Sequence, residues 1–359
     1  MYEFSIIIPT YNESETIISL LEEIASSLPN KSYELIVVDD NSPDGTAKKI
    51  KEYASKSRLS NILCIQRTWQ KGLSSAVVEG IAISNSPLLI IMDGDGQHDP
   101  KNINDFLENQ KSGDFDLIIG SRFLETNKTD SLSEARSGLS KTGIKITQRF
   151  IGNKFTDPLT GFFLVKKSSL SGLERKIYKD GFKILFDILM LGKNLKSKEV
   201  QINFRNRAKG DSKLNFSTLA HLLGQIVENI SRQMVPSTFF VFGVIGSLGV
   251  LVHFSVLYSL LAFNFGYIFS NFIGSISGLT SNYLLNNFLT FHNLHNTLSK
   301  KIVGFTKYAI FNSLSLMANT GIASVLYLDS FSIAFSTIIG ITAGLLLNYF
   351  LSKNIVFRS

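Results

Sequence analysis

From residue 233 to residue 299 the chain contains no Asp, Glu, Lys or Arg, and beyond Lys301 only Lys307, Asp329, Lys353 and Arg358 carry formal charge. That absence excludes an ordinary solvated surface for the second part of the 359 residues and confines nearly all charge to the first 232. A soluble domain followed by a membrane domain is implied. A single cysteine, Cys64, excludes an internal disulfide, and its place in NILCIQR makes it a small core residue. The N-terminus has no basic segment leading into an apolar one, so no cleaved signal peptide is expected and the soluble domain should stay in the cytosol. No GxGxxG follows the first strand-like run and no GxxxxGK[ST] occurs anywhere, which excludes the usual dinucleotide and P-loop fingerprints.

What is present is 44% hydrophobic residues, a net charge of +7 and a mean hydropathy of +0.16. A basic chain can bind nucleic acid, but with a bilayer implied, attraction to anionic headgroups and phosphorylated substrates is the simpler reading, and no nucleic-acid partner is expected. In the first half, β-branched apolar runs recur as FSIIIP (4–9), YELIVVDD (33–40), NILCIQ (61–66), PLLIIMD (87–93) and FDLIIGS (115–121). Helix-like stretches lie between them, near 14–28, 44–57, 72–84 and 101–112. Alternation of this kind predicts an α/β fold with parallel βαβ units and helices on both faces of one sheet. Near-continuous apolar strands mean that both faces are covered.

Ligands of such sheets bind outside the carboxyl ends of the strands. The residues there are PTYNE (Pro9–Glu13), DDNSPDGT with Asp39, Asp40, Asn41, Ser42 and Asp44, DGDGQHD after the fourth run, and GSRF with Ser121 and Arg122. Tyr11 is suited to cover a base, Asp40 to accept from base or ribose donors, and Asp93-x-Asp95 to hold a metal on a diphosphate. Side chains two apart on an extended segment point the same way, so residues 93, 95 and 97 can face one cation. Each motif also has a plain alternative: NSPDG is a good turn, and Asp99-Pro100 can simply start a helix, with His98 beside it.

FSIIIPTYNE, VVDDNSPDGT, RTWQKGLSSAVVEGI, IIMDGDGQHDP, IIGSRF, DPLTGFFLVKK, GFKIL and FRNRAKGDSKL occur in this order. Together they resemble the polyprenyl-phosphate (dolichyl-phosphate) mannose synthases, inverting glycosyltransferases of the GT-A fold. Gly94 departs from that pattern, where the family usually has Ala. The resemblance implies a Rossmann-like, mostly parallel sheet and transfer of a hexose from a nucleotide diphosphate to a lipid phosphate. The expected donor is GDP-mannose and the expected acceptor a polyprenyl or dolichyl phosphate. Mg²⁺ or Mn²⁺ is implied on Asp95 and Gln97, with Asp93 as a further candidate that holds nucleotide, ribose or sugar. The nucleotide sugar is expected on Pro9, Tyr11, Glu13, Val38, Asp40, Asp93, Gly94, Asp95, Lys183, Arg207 and Lys213.

A phosphate acceptor is already anionic near neutral pH, so it needs charge compensation and alignment more than a general base. Resemblance puts Arg122, Arg136 and Ser140 at that phosphate, and Asp95, Arg122 and Arg207 in catalysis. Asp157, where related transferases place a base, is expected to orient the sugar or a basic side chain. The implied reaction is one in-line displacement that turns an α-linked donor into a β-linked product. UDP-glucose as donor is the nearest alternative, and a lipid-glycan flippase with a merely binding soluble half is a further one. A processive polysaccharide synthase would carry Gln-x-x-Arg-Trp, and the only tryptophan, Trp69, stands in RTWQKG.

Residues 1–215 are thus expected to form the cytosolic catalytic domain. Segment 216–235 sets Leu219, Leu222, Leu223, Ile226, Val227 and Ile230 against Gln225, Glu228 and Arg232 at helical spacing, and its place before the first span predicts an interfacial amphipathic helix. A second lipid-facing element is expected at 139–152. Residues 236–359 are expected to hold four spans, near 238–262, 267–290, 304–327 and 331–351. Lys300 and Lys301 in the loop between spans two and three, with Lys353 and Arg358 at the end, put that loop, both termini and the catalytic domain on the cytoplasmic side of a multi-pass cell-membrane protein. The spans repeat at an offset of 66 residues: Asn282-Tyr283 recurs as Asn348-Tyr349, and Gly274-x-x-x-Gly278 as Gly340-x-x-x-Gly344. Small-xxx-small spacing permits close helix packing. This half resembles the GtrA-like membrane family. His253, deep in a span, is expected to be packed, and no metal is expected at His292 and His295.

Overall fold

A computed structural model of the chain describes residues 2–56, 61–68, 72–124, 134–152, 154–173, 177, 183–205, 216–231, 237–285 and 298–351. The chain divides into two compact units, residues 1–230 and 231–359.

The first unit is built on a seven-stranded sheet. Its strands are β1 (Phe4–Thr10), β2 (Tyr33–Asp39), β3 (Ile62–Gln66), β4 (Leu88–Ile91), β5 (Leu117–Ser121), β6 (Phe163–Lys166) and β7 (Ser197–Gln201), in the order β3-β2-β1-β4-β6-β5-β7. All five apolar runs are strands. β6 runs antiparallel to β4 and β5, and every other pairing is parallel. The sheet is therefore mixed: a four-residue antiparallel strand, FLVK, is inserted between two parallel blocks.

The two faces follow from strand alternation. Ile6, Ile8, Leu35, Val37 and Ile90 point to one side, against α1 (Ile17–Ser27) and α4 (Asn102–Gly113). Ile7, Ile36, Val38, Leu89 and Ile91 point to the other, against α3 (Leu73–Ile83) and α6 (Ile184–Leu191). α1 presents Ile17, Leu20, Leu21 and Ile24, spaced as one apolar stripe, to the first face. Each such side chain contributes about 1.5–3 kcal/mol by leaving water. α2 (Thr46–Lys56) covers the β2–β3 end through Ile50.

A third, smaller core joins α5 (Glu134–Ile151), α6 and α7 (Phe216–Ile230) through Ile144, Leu159, Phe186, Leu222 and Ile226. The amphipathic helix that the sequence offers to a membrane interface is thus covered by protein along Leu222 and Ile226. Asn229 Nδ2 donates to Asp187 Oδ1 at 2.8 Å, and Gln225 Nε2 donates to the Lys183 carbonyl at 3.1 Å. An apolar stripe specifies burial without specifying what buries it, and here α5 and α6 supply the surface for Leu222 and Ile226, while Ile230 stays 53% exposed.

The second unit consists of α8 (Ser237–Ala262), α9 (Tyr267–Leu285), α10 (Leu298–Leu328) and α11 (Ile333–Leu351). α8 pairs with α9 and α10 with α11, with α9 against α10. The 66-residue repeat is visible in the packing. A Cβ at Gly278 would lie 2.8 Å from the Gly249 carbonyl, and one at Gly344 would lie 2.8 Å from the Ser315 carbonyl. Both glycines let one helix of a hairpin sit directly on the other's backbone. Among the described residues, no helix is long and apolar enough to cross a membrane. α9 illustrates the limit: its 19 residues include Ser270, Asn271, Ser275, Ser277, Thr280 and Asn282.

Candidate active site

The loops after β1 and β2 are stitched together. Asn12 N–H donates to Ser42 Oγ at 3.0 Å, Glu13 N–H to Thr46 Oγ1 at 3.1 Å, and Ser14 N–H to Asp44 Oδ2 at 3.0 Å. Asp39 receives Ser42 N–H at 2.9 Å and Thr10 Oγ1 at 3.3 Å. Asp44 receives Thr46 N–H at 3.0 Å and Thr46 Oγ1 at 2.6 Å, and these donors hold its carboxyl below the usual range although burial opposes them. Asn12 (φ 59°) and Asn41 (φ 54°) sit in the left-handed region that Asn tolerates. Much of DDNSPDGT is therefore scaffold, while Tyr11, 37% exposed, stands at the surface of the rim.

Asp40 is engaged inward. Its Oδ1 accepts Arg67 Nε at 2.7 Å and pairs with the neighbouring guanidinium nitrogen, and its Oδ2 accepts Gly72 N–H at 2.8 Å. Arg67 is fully buried and also donates to Ser75 Oγ and to the Gly72 carbonyl, each at 2.9 Å. A guanidinium without solvent needs this many acceptors. The pair ties β2 to the start of α3 and accounts for Arg67, Gly72 and Ser75 of the RTWQKGLSS motif. Two of the expected nucleotide residues do not line the rim with their side chains. Pro9 is buried within β1, and Val38 is fully buried in the core beneath α3. Both lie on strands covered on both faces, so only their backbones reach the carboxyl edge.

At the end of β4, Asp93 is half-buried and faces Gly161, where a Cβ would collide with both carboxylate oxygens. Gly161 of DPLTGFF is therefore the floor on which Asp93 rests. Gly94 packs against β1, since a Cβ there would come within 2.8 Å of Thr10 Cγ2. Asp95 is 9% exposed and its Oδ1 accepts Gln97 N–H at 3.1 Å. Gln97 Nε2 donates to the Arg205 carbonyl at 3.2 Å, and the Gln97 carbonyl accepts Arg205 N–H at 2.8 Å. That geometry leaves the Gln97 amide oxygen as its atom for a cation. Among the described residues no group of three or more His, Cys, Asp or Glu could hold a metal ion by itself. A cation here would take its remaining ligands from diphosphate oxygens and water, which is how Mg²⁺ and Mn²⁺ sites at nucleotides are commonly completed.

His98 does more than start a helix. Its ring is 2% exposed, stacked on Phe162 (5.0 Å, 20°) and tilted against Phe204 (5.5 Å), and its backbone bridges to Phe204. Burial pushes its pKa down to about 4, so the ring is neutral. Asp99 caps the following turn through Lys101 N–H at 3.0 Å and pairs with Arg205 at 3.0 Å, and Arg205 also reaches Glu23 at 2.7 Å.

Past β5, Arg122 is held by Asp157 in a bidentate pair, Nε to Oδ2 at 2.6 Å and a second nitrogen to Oδ1 at 2.8 Å. Asp157 is fully buried and the Arg122 side chain is 17% exposed. The guanidinium lies 5.1 Å from the ring centres of both Phe123 and Phe204. Burial opposes its charge, but Asp157 and then Asp93 hold its pKa above the ordinary value. Glu199 on β7 fixes the other side of Asp157 by accepting Thr156 N–H at 2.9 Å and Asp157 N–H at 3.1 Å. Sequence reasoning missed Glu199, because SKEVQ carries no apolar signature. Lys183, at the start of α6, is half-buried. Burial draws its pKa below the ordinary lysine value, while Asp93, Asp157 and Asp95 act to raise it and Arg122 to lower it.

The structure therefore gathers Asp93, Asp95, Gln97, Arg122, Asp157 and Lys183 around His98 at one edge of the sheet. Arg207 and Lys213 lie outside the described residues. Arg136 and Ser140 fall on α5, and their side chains likewise lie outside what is described.

An α/β sheet with paired acids and opposed cations beyond its carboxyl ends suits an enzyme that handles a phosphorylated substrate, and the family comparisons make its class a glycosyltransferase. Residues 5–173 match the family model described as glycosyl transferase family 2, and residues 241–358 match the model described as GtrA/DPMS, transmembrane domain. Dolichol-phosphate mannosyltransferase of Pyrococcus furiosus is 37% identical over 251 residues, covering 69% of this chain and 70% of that one. Undecaprenyl-phosphate mannosyltransferase of Micrococcus luteus is 30% identical over 234 residues, covering 63% and 91%. The chain belongs to glycosyl transferase family 2. Among solved structures, glucosyl-3-phosphoglycerate synthase from Mycobacterium tuberculosis in complex with UDP superposes with a TM-score of 0.49 at 18% identity, over 66% of this chain and 81% of that one, a likeness too shallow to carry a residue across.

Proposed function

We propose that this glycosyltransferase moves a mannosyl group from GDP-mannose to the phosphate of a polyprenol, by one metal-dependent displacement that inverts the anomeric centre. The observation that carries this reading is the Arg122–Asp157 pair. Both oxygens of Asp157 are committed to one guanidinium. The carboxylate best placed to act as a general base is thereby turned into an orienting group, and the cation it orients remains partly open to the site. A sugar hydroxyl acceptor would call for the base, whereas a phosphate acceptor calls for the cation. The names of the relatives point the same way.

On this reading Lys183 and Arg122 compensate the donor diphosphate and the acceptor phosphate, and Asp93, seated on Gly161, holds ribose or sugar. Arg136 and Ser140 join Arg122 at the acceptor, and Arg207 and Lys213 join the phosphates. Asp95 and the Gln97 amide oxygen would hold Mg²⁺ or Mn²⁺, which when bound neutralises charge on the departing diphosphate. Tyr11 covers the base, while Asp40 shapes the nucleotide end through Arg67 and Gly72.

Residues 236–359 are read as four membrane-crossing helices with both termini, the catalytic domain and the α9–α10 loop in the cytoplasm. Support comes from the transmembrane family model and from large apolar side chains left facing outward, such as Leu251 (64% exposed), Ile310 (66%) and Met317 (70%). The test is one assay on the purified full chain. It supplies polyprenyl phosphate, a panel of nucleotide sugars, and Mg²⁺ or Mn²⁺ against a chelator. Mannosyl lipid formed from GDP-mannose with metal and lost with chelator is expected. Turnover of UDP-glucose alone would overturn the donor, and undiminished product under chelator would overturn the metal.

A further inference from the structure

Of the cations Arg122 and Lys183, only the first is fixed by a carboxylate, the bidentate Asp157. Among the described residues Lys183 forms no ion pair, and Asp93, Asp157 and Asp95 act on it through space. A lysine ammonium on a flexible stem is placed by its backbone when no partner fixes its tip. Lys183 directly precedes α6, with φ −135° and ψ 71°, and its carbonyl accepts Phe186 N–H at 3.1 Å, the first bond of that helix. The same carbonyl accepts Gln225 Nε2 of α7 at 3.1 Å. One turn further along each helix the contact repeats. Asn229 Nδ2 donates to Asp187 Oδ1 at 2.8 Å and also to the Gln225 carbonyl at 3.0 Å. Residues four apart share one face of a helix, so 225 and 229 meet 183 and 187 as two rungs of a ladder.

Gln225 is 1% exposed and Asp187 is fully buried, beside a core of Phe186, Leu222 and Ile226. Polar groups taken out of water among apolar neighbours cost free energy unless their hydrogen bonds are made, and these are made to the start of α6. We propose that Gln225 and Asn229 are positioning residues for Lys183: they grip the first turn of α6 and so set the direction in which the ammonium enters the site. The chemistry favours this arrangement. A carboxylate paired to Lys183 would compete with an incoming diphosphate, whereas a grip on its backbone leaves the whole charge for the ligand. That the diphosphate is what the ammonium meets rests on the donor reading above; the hold of α7 on Lys183 does not.

The test uses the full chain and two readouts. The first is calorimetric titration with GDP in the presence of Mn²⁺. Gln225→Met keeps the length of the side chain and removes the donor. It should weaken GDP binding roughly 2–10-fold, the worth of one hydrogen bond, and have no further effect in a Lys183→Met background. A merely structural contact would give the same loss in both backgrounds, and that result overturns the proposal. The second readout needs no ligand: labelling of each lysine by an amine-reactive reagent, followed by mass spectrometry. Labelling of Lys183 should speed up in Gln225→Met by about the same factor, with the exposed Lys101 and Lys111 unchanged. Unchanged labelling of Lys183 overturns the proposal even if GDP binding weakens. Should Lys183→Met bind GDP as the wild type does, the donor reading of Lys183 falls, while faster labelling in Gln225→Met still upholds the grip of α7. Asn229→Leu acts on the same turn through Asp187, should move both readouts the same way by less, and serves as the test if Gln225→Met fails to fold.

Discussion

Asp157→Asn separates an orienting carboxylate from a catalytic base. The substitution keeps the shape of the side chain and removes its charge. Arg122 then remains largely buried, at 17% side-chain exposure, with one acceptor in place of two. Breaking a buried pair by neutralising one partner costs about 3–5 kcal/mol. The retained amide oxygen can still accept one bond, so the lower end, about 3 kcal/mol, is expected. For a unit of this size that corresponds to a fall in Tm of roughly 6–12 °C. Turnover should fall about a hundredfold, the usual consequence of a phosphate-orienting group displaced by about 1 Å. The pH–rate profile should keep its shape, since no proton passes through Asp157. Adding Arg122→Gln should restore part of the lost stability, because the unpaired cation is gone. Melting curves and pH–rate profiles of the three variants decide the matter. A normally melting Asp157→Asn enzyme that has lost the acidic limb of its profile would refute the argument, because that is the signature of a missing base.

Gly161→Ala pushes a methyl into the Asp93 carboxylate and should raise the donor KM about tenfold or more, with a destabilisation of about 1–3 kcal/mol, measured by initial rates and melting. Lys183→Met should weaken binding of the nucleoside diphosphate by roughly 10–150-fold, the loss of one charge-assisted contact. Because burial lowers the Lys183 pKa, the folded protein gives up this proton before the unfolded chain does. Between the lowered value and 10.5, stability therefore rises with pH while diphosphate affinity falls, and titration calorimetry should find that alkaline fall missing in the methionine variant. His98 works in the opposite pH range. The unfolded chain protonates it near 6.5 and the folded one only near 4, so its contribution is complete above pH 6.5 and about 3 kcal/mol is lost on acidification to pH 4. Melts of chelator-treated protein should show a smaller acid loss in His98→Phe, and an identical loss would refute the assignment.

How much of this was legible in the sequence depended on whether a residue's partner was local. The five parallel strands and four helices were visible because strands buried on both faces are continuous apolar runs, punctuated by turn residues. β6 was not visible: FLVK is four residues long and sits behind a turn, and nothing in it signals an antiparallel insertion. At the site, Asp93, Asp95 and Gln97 do follow β4, but residues 94–96 form a turn in which Asp95 Oδ1 accepts Gln97 N–H, so the alternation of an extended segment is not what sets their directions. The long-range commitments did not show. Asp40 looks like a free carboxylate until Arg67, 27 residues on, closes over it, and Asp157, expected to orient the sugar or a basic side chain, gives no sign in the sequence that Arg122, 35 residues earlier, takes both its oxygens. The apolar stripe of α7 was visible and its partner was not, so lipid and protein read alike. In each case residue type set which chemistry was available, and the distant partner decided which part of it remained to be used. For Asp157 that decision bears on the reaction itself, because a carboxylate taken up by an arginine directs the search for an acceptor away from hydroxyls and toward an anion.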